Sequence, residues 1–74
     1  SSPTVRLRIE VVRGGRSQLH DLEPARGSRL RDVLRGLGYA PEGCAVFRGE
    51  LPIPLDTVLL EDEVLAVVPT FSGG

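Results

Sequence analysis

The sequence ends in the segment PTFSGG, and its closing glycine pair is the most chemically suggestive stretch of the chain. Glycine has no Cβ atom, so two glycines in a row can pass through a narrow channel and present the α-carboxylate of Gly74 to a second protein. A frayed terminus, in which glycine has no packing role, is the alternative interpretation. We expect Gly73 and Gly74 to be a modification or activation site, with Pro69, Phe71 and Ser72 as partner-binding residues.

The other side chains offer little catalytic chemistry. His20 and Cys44 could form a base and nucleophile pair if the fold joined them, but their spacing does not require it. Zinc needs three or four nitrogen or sulfur ligands, and the chain has one histidine and one cysteine. The RGGRS stretch lacks the lysine of a P-loop, and the acidic run at 61–63 is typical of a solvated turn. We expect no catalytic residue, no metal and no bound cofactor, and interpret Cys44 as a small core residue.

Size and composition favour one small globular domain. The chain has 74 residues, of which 41% are hydrophobic and 26% charged, and a formal net charge of -1. This balance gives no basic excess for direct nucleic-acid binding, and no apolar stretch is long enough for a membrane span. We expect a cytoplasmic protein. All nine basic residues are arginine, so the chain has no lysine on which a lysine-linked polymer of itself could grow.

The hydrophobic pattern predicts the elements that must position the glycine pair. Residues 4–11 alternate with a period of two and predict a strand, which the RGGRS turn links to a second strand at 18–23. From Arg29 the period becomes helical, with Ser28 as the expected N-cap and Gly38 at the expected C-terminal cap.

The second half of the chain predicts shorter elements. A short strand is expected at 44–47, an edge segment at 51–54 because its prolines lack a ladder donor, and a turn or irregular helix at 57–60. The closing strand is expected at 64–68. All its residues are apolar, so either alternating set could point inward, and we choose the longer pair, Leu65 and Val67. The order predicts an α+β domain over 1–68, with one helix across a mixed sheet of four to five strands, followed by a flexible tail over 69–74.

Several motifs occur in one order along nearly the whole chain. They are the helix signature SRLRDVLRGLG, a V-x-x-G-x-x-P pattern at Val46, Gly49 and Pro52, the D-E-V before the last strand, and the P-x-x-S-G-G ending. Together they resemble the β-grasp, ubiquitin-like sulfur carriers and small archaeal modifier proteins. This group includes the molybdopterin synthase small subunit, the thiamine sulfur carrier and the ubiquitin-related modifiers.

The resemblance implies a function as a carrier that other enzymes act upon. In these families a ubiquitin-activating-type enzyme uses ATP to adenylate the terminal glycine, here Gly74. A sulfur donor of the desulfurase or rhodanese type then yields a thiocarboxylate, which supplies sulfur, for example to a tRNA thiolation enzyme. Alternatively, a lysine of a target protein attacks the activated carbonyl and forms an isopeptide bond.

Two alternatives remain open at this point. The molybdopterin subunit usually carries an aromatic-rich approach to its diglycine, whereas this chain has only Phe71 there, which favours the archaeal modifier and tRNA-thiolation branch. Arg48 and Asp62 also stand where family members often have asparagine and glycine. A ubiquitin-fold interaction module that is never activated is the other possibility.

Arg6, Arg8 and Arg48 could steer an acidic partner.

Overall fold

The computed structural model describes residues 2–70. The elements in chain order are β1 (Leu7–Arg13), β2 (Arg16–Leu22), α1 (Leu30–Gly36), a 3-10 turn (Pro41–Gly43), β3 (Cys44–Arg48), β4 (Leu51–Ile53) and β5 (Glu63–Pro69). No helix within this range has the length and apolar character needed to cross a bilayer.

The five strands form one mixed sheet in the order β2-β1-β5-β3-β4. The strands β1 and β5 pair in parallel, whereas the other neighbours in the sheet pair antiparallel. The helix α1 covers one face, since its Leu30 and Leu34 belong to the same buried cluster as residues of the strands. The predicted α+β class, with one helix across a mixed sheet, is confirmed.

The core is a single apolar cluster between α1 and the sheet. Alternate residues of β1 and β5 point into it, as the period of two predicts, and Leu65 and Val67 are 1% and 0% exposed. Ten residues are buried: Val5, Leu7, Ile9, Val11, Leu30, Leu34, Val46, Leu59, Leu65 and Val67. The predicted inward faces of both strands are therefore confirmed.

The two ends of α1 are stabilised in different ways. Gly38 has a φ of 93°, which glycine adopts without a Cβ penalty. The Gly38 N–H donates to the Arg35 carbonyl at 2.9 Å, and the Tyr39 N–H donates to the Leu34 carbonyl at 3.0 Å. These two bonds form a Schellman motif, so the predicted helix end at Gly38 is confirmed.

The expected side-chain cap at Ser28 is wrong. The residue at the N-cap position is Arg29, and no side chain caps this end of α1. Instead, the Leu30 and Arg31 N–H groups each donate at 2.9 Å to backbone carbonyls of Thr57 and Leu55. The first turn therefore satisfies two of its free donors by tertiary contact, which removes the need for a hydroxyl cap.

Residues 57–60 form an extended bridge rather than the predicted turn or irregular helix. Val58 pairs with Arg29 in an isolated antiparallel bridge. Leu59 donates its N–H to the Ser28 carbonyl at 2.8 Å and accepts from the Gly27 N–H at 2.8 Å. These bonds place the Leu59 side chain in the core, a position that the hydrophobic periodicity did not reveal.

The prolines around β4 have the predicted consequence. β4 lies at the edge of the sheet and pairs only with β3 within residues 2–70. Pro52 lies opposite Phe47. An edge strand has one unpaired side, which accommodates a residue without an N–H donor.

Replacing Leu59 with alanine should destabilise the domain strongly. Leu59 is 0% exposed, so the change leaves a cavity and should lower the free energy of unfolding by about 3 kcal/mol. Urea denaturation followed by circular dichroism measures the loss. Leu60→Ala is the matched control, because Leu60 is 54% exposed and its truncation should change stability by less than about 0.5 kcal/mol. Equal losses for the two variants would contradict this account of the core.

Candidate functional site

The C-terminal end of β5 marks where the predicted tail begins. Pro69, predicted to begin the tail, instead lies in β5, half-buried and opposite Cys44 of β3. The other predicted site residues, at 71–74 (Phe71, Ser72, Gly73 and Gly74), lie outside the described residues, so their assignments stay predictions.

Thr70 fastens the end of β5 to the 3-10 turn. Its N–H donates to the Gly43 carbonyl at 2.6 Å, and its Oγ1 donates to the same oxygen at 3.0 Å. Gly43 is buried, so its carbonyl is held in place by the body of the domain. Because an extended chain spans about 3.5 Å per residue, Gly74 can lie at most about 14 Å beyond Thr70.

The sheet face opposite α1, called here the outer sheet face, carries apolar side chains. Leu19 and Val64 are 59% and 62% exposed. One row across the strands, read from the pairing, contains Leu19, Glu10, Ala66, Phe47 and Pro52. The apolar residues that the strands place on this face are Val12, Leu19, Ala45, Phe47, Val64, Ala66 and Val68. The predicted inward choice of Leu65 and Val67 thus leaves an apolar surface on the strand that leads to the tail.

Two of the three arginines proposed for steering are engaged in ion pairs. Arg8 Nε lies 2.7 Å from Asp21 Oδ1, and this hydrogen bond holds the pKa of the Asp21 carboxyl below its usual value. Arg48 Nε lies 2.7 Å from Glu63 Oε1, whose side chain is only 15% exposed. Arg6 uses its backbone N–H, which donates to Asp62 Oδ1 at 2.8 Å. Asp62 therefore ties the turn before β5 to the start of β1.

Cys44 is half-buried and packs against the core, in line with the expectation of a structural residue. Its Sγ lies 3.4 Å from the Ala40 carbonyl. Burial raises the pKa of the Cys44 thiol; the nearby charge of Arg13 lowers it and that of Glu42 raises it. The thiol is therefore protonated at neutral pH and is a weak nucleophile.

His20 lies on β2 opposite Ile9, and its Nε2 is buried without a hydrogen-bond partner in residues 2–70. No three or more metal-binding side chains come together in this part of the chain. Within residues 2–70, the geometry supplies neither a base beside a nucleophile nor a metal centre.

The chain has a full-length relative among known proteins. It is 34% identical over 70 residues to an uncharacterized protein of the archaeon Archaeoglobus fulgidus, a match that covers 95% of this chain and 100% of the relative. No family model matches the sequence.

Solved structures with the same architecture are ubiquitin-like. Ubiquitin of Caldiarchaeum subterraneum matches with a TM-score of 0.70 at 14% identity, over 96% of this chain and 99% of that one. The solution structure of an N-terminal ubiquitin-like domain matches with a TM-score of 0.69 at 16% identity, over 100% of this chain and 82% of that one. The fold is therefore the ubiquitin-like β-grasp fold, as the sequence motifs predicted.

The Cys44 thiol should react slowly with alkylating reagents in the folded protein. Because burial raises its pKa, little thiolate forms near pH 7, and we expect alkylation by iodoacetamide to be slower than in the urea-unfolded chain at the same pH. Mass spectrometry over time measures both rates. Similar rates in the two states would show that Cys44 is a reactive thiol, contrary to its structural assignment.

Proposed function

This chain belongs to the same family as the Archaeoglobus fulgidus protein, and from its ubiquitin-like fold and diglycine segment we propose that it is a sulfur carrier or protein modifier. A ubiquitin-activating-type enzyme adenylates Gly74 with ATP. The activated chain is then thiocarboxylated for sulfur transfer, with tRNA thiolation as the favoured destination, or conjugated to a lysine of a target protein. In this role the protein is a cytoplasmic substrate and carrier, and its partners supply the catalysis.

One observation carries the proposal. Strand β5 leads directly toward the diglycine, and Thr70 is fixed to Gly43 at the point where the described chain ends. Such an arrangement gives a partner a rigid body to recognise and a reacting carboxylate within about 14 Å of Thr70. The outer sheet face, next to the same strand, supplies exposed apolar area for that recognition.

The proposed reaction requires only one group of this chain, the α-carboxylate of Gly74. An oxygen of the Gly74 carboxylate attacks the α-phosphorus of ATP, and pyrophosphate leaves. The resulting acyl-adenylate is a good electrophile, because AMP is a far better leaving group than an oxide. A persulfide sulfur of the donor displaces AMP and gives an acyl disulfide. A second thiol, of the donor or of a small-molecule reductant, attacks the donor's sulfur, forms a disulfide with it and releases the thiocarboxylate. A target lysine amine displaces AMP in the conjugation route.

Activation at Gly74 can be tested directly. We expect the protein, incubated with its cognate activating enzyme and ATP, to gain the mass of an adenylate, and the further addition of a persulfide donor to replace one oxygen with sulfur. Intact mass spectrometry measures both changes. A variant without Gly73 and Gly74 is the control and should gain neither. A full-length protein that stays unmodified would overturn the proposal.

A second candidate is an interaction module in which the glycines have no role. The apolar outer sheet face favours this reading, because it can bind a partner without any activation of the tail. The two functions separate in cells, since deletion of Gly73 and Gly74 abolishes the activity of a carrier and leaves that of an interaction module intact.

The outer sheet face should contribute to recognition by the activating enzyme. Leu19→Asp places a charge on this face and should raise the KM for the carrier at least about fivefold with little change in kcat. Leu51→Asp is the matched control, because Leu51 is 61% exposed, close to the 59% of Leu19, but pairs with Arg48 away from the outer row. Steady-state release of pyrophosphate measures the effect. An unchanged KM for Leu19→Asp would remove this face from the recognition surface.

A further inference from the structure

The tip of the β1–β2 hairpin brings two arginines together. Arg13 and Arg16 lie directly opposite each other, joined by Gly14 and Gly15 with φ of 56° and 77°. A two-residue turn with positive φ at both positions fits the twist of a hairpin and fixes this register. Like charges directly opposite each other destabilise a strand pair. Neither guanidinium has an ion pair with another residue of the described range 2–70.

Tyr39 supports one of the two guanidinium groups. Arg13 Cζ lies 5.6 Å from the centroid of the Tyr39 ring, within the range of a cation–π contact. The Schellman motif after α1 sets the position of Tyr39, whose N–H donates to the Leu34 carbonyl. Arg13 is therefore held by a contact that leaves its N–H donors free to bind an anion.

An open surface cavity of about 320 Å³ lies beside these groups, and its Arg13, Arg16 and Gln18 are exposed. It is lined by Val11, Arg13, Arg16, Ser17, Gln18 and Tyr39. Arg13, Arg16, Gln18 and Tyr39 contribute two guanidinium groups, a carboxamide and a phenol, and none of the lining residues is acidic. Glu42, the acidic residue whose charge raises the pKa of the Cys44 thiol, does not line the cavity. The size is at the lower end of the range for small-molecule sites.

From this arrangement we propose that the hairpin-tip cavity binds the phosphate group of a small phosphorylated molecule. Two opposed arginines offer planar forks of donors that match the oxygens of a phosphate and can neutralise a dianion. Binding relieves the repulsion between Arg13 and Arg16, so the ligand offsets a cost already built into the hairpin. Gln18, which lies opposite Val11 and on the same face of β2 as Arg16, supplies a further donor.

The cavity lies at the end of the sheet at which β5 finishes. The strands β1 and β5 run parallel, and their register, with Val11 opposite Val67, places Arg13 level with Pro69. The hairpin tip and the last residues of β5 therefore lie at the same end of the sheet. The binding itself does not depend on the proposed function, because it needs no partner and no reaction at Gly74.

The chain contains one tyrosine and no tryptophan, so its intrinsic fluorescence reports on Tyr39 alone. We expect inorganic pyrophosphate and ribose phosphate, each added at constant ionic strength, to change the Tyr39 emission along a saturable curve. Saturation by both probes shows that phosphate alone is recognised, and saturation by ribose phosphate alone shows that the sugar contributes; either supports the site.

Variants decide whether the response belongs to the arginine pair. Arg13→Ala and Arg16→Ala should each weaken binding at least about fivefold, whereas Arg35→Ala, at an exposed helix position paired with Asp32, should bind as the unmodified protein does. The same order should appear in the ligand-induced rise of Tm, which does not rely on fluorescence. No saturation with either probe, or equal binding by Arg13→Ala, Arg16→Ala and Arg35→Ala, overturns the proposal.

Discussion

The parallel pairing of β1 with β5 is the interaction on which the rest of the domain depends. It joins the first and last strands in chain order, with Leu7 opposite Glu63 and Val11 opposite Val67. Closing so long a loop costs chain entropy, and the loss must be recovered by burial. Burial of alternate residues of both strands against α1 offsets this loss of entropy, and Ile9 and Val67 are 0% exposed. The hairpin, the helix and the short strands are arranged around this central pair.

The segment between β4 and β5 has little regular structure, yet it joins the two layers. Its backbone provides carbonyl acceptors for the first turn of α1, its Leu59 fills the core, and its Asp62 accepts from the backbone at the start of β1. Few of these links use a distinctive side chain. The position of the helix over the sheet is thus set largely by main-chain groups that are far apart in sequence.

The difference between local side-chain signals and main-chain contacts that are distant in sequence explains which features could be predicted. Alternation in β1, the larger side chains on one face of β5, the glycine at the end of α1 and the prolines of β4 are local signals with local causes, and they predicted faces, a boundary and an edge correctly. The prediction of a cap at Ser28 was wrong because the carbonyls of Thr57 and Leu55, which are distant in sequence, accept the hydrogen bonds of the first helical turn. Burial of Leu59, the contact of Arg13 with Tyr39 and the bonds from Thr70 to Gly43 join residues from different elements, so no short pattern reveals them. The role of the diglycine remains a prediction from the sequence alone.

The attachment of Thr70 to Gly43 has a mechanical consequence. A partner that draws on the chain beyond Thr70 pulls along the axis of β5, which is flanked by β1 on one side and β3 on the other. Force along the strand axis loads the ladder hydrogen bonds together in shear, and β5 has a ladder on each side, whereas an edge strand would have one. A pull on the last strand is therefore resisted by two ladders at once.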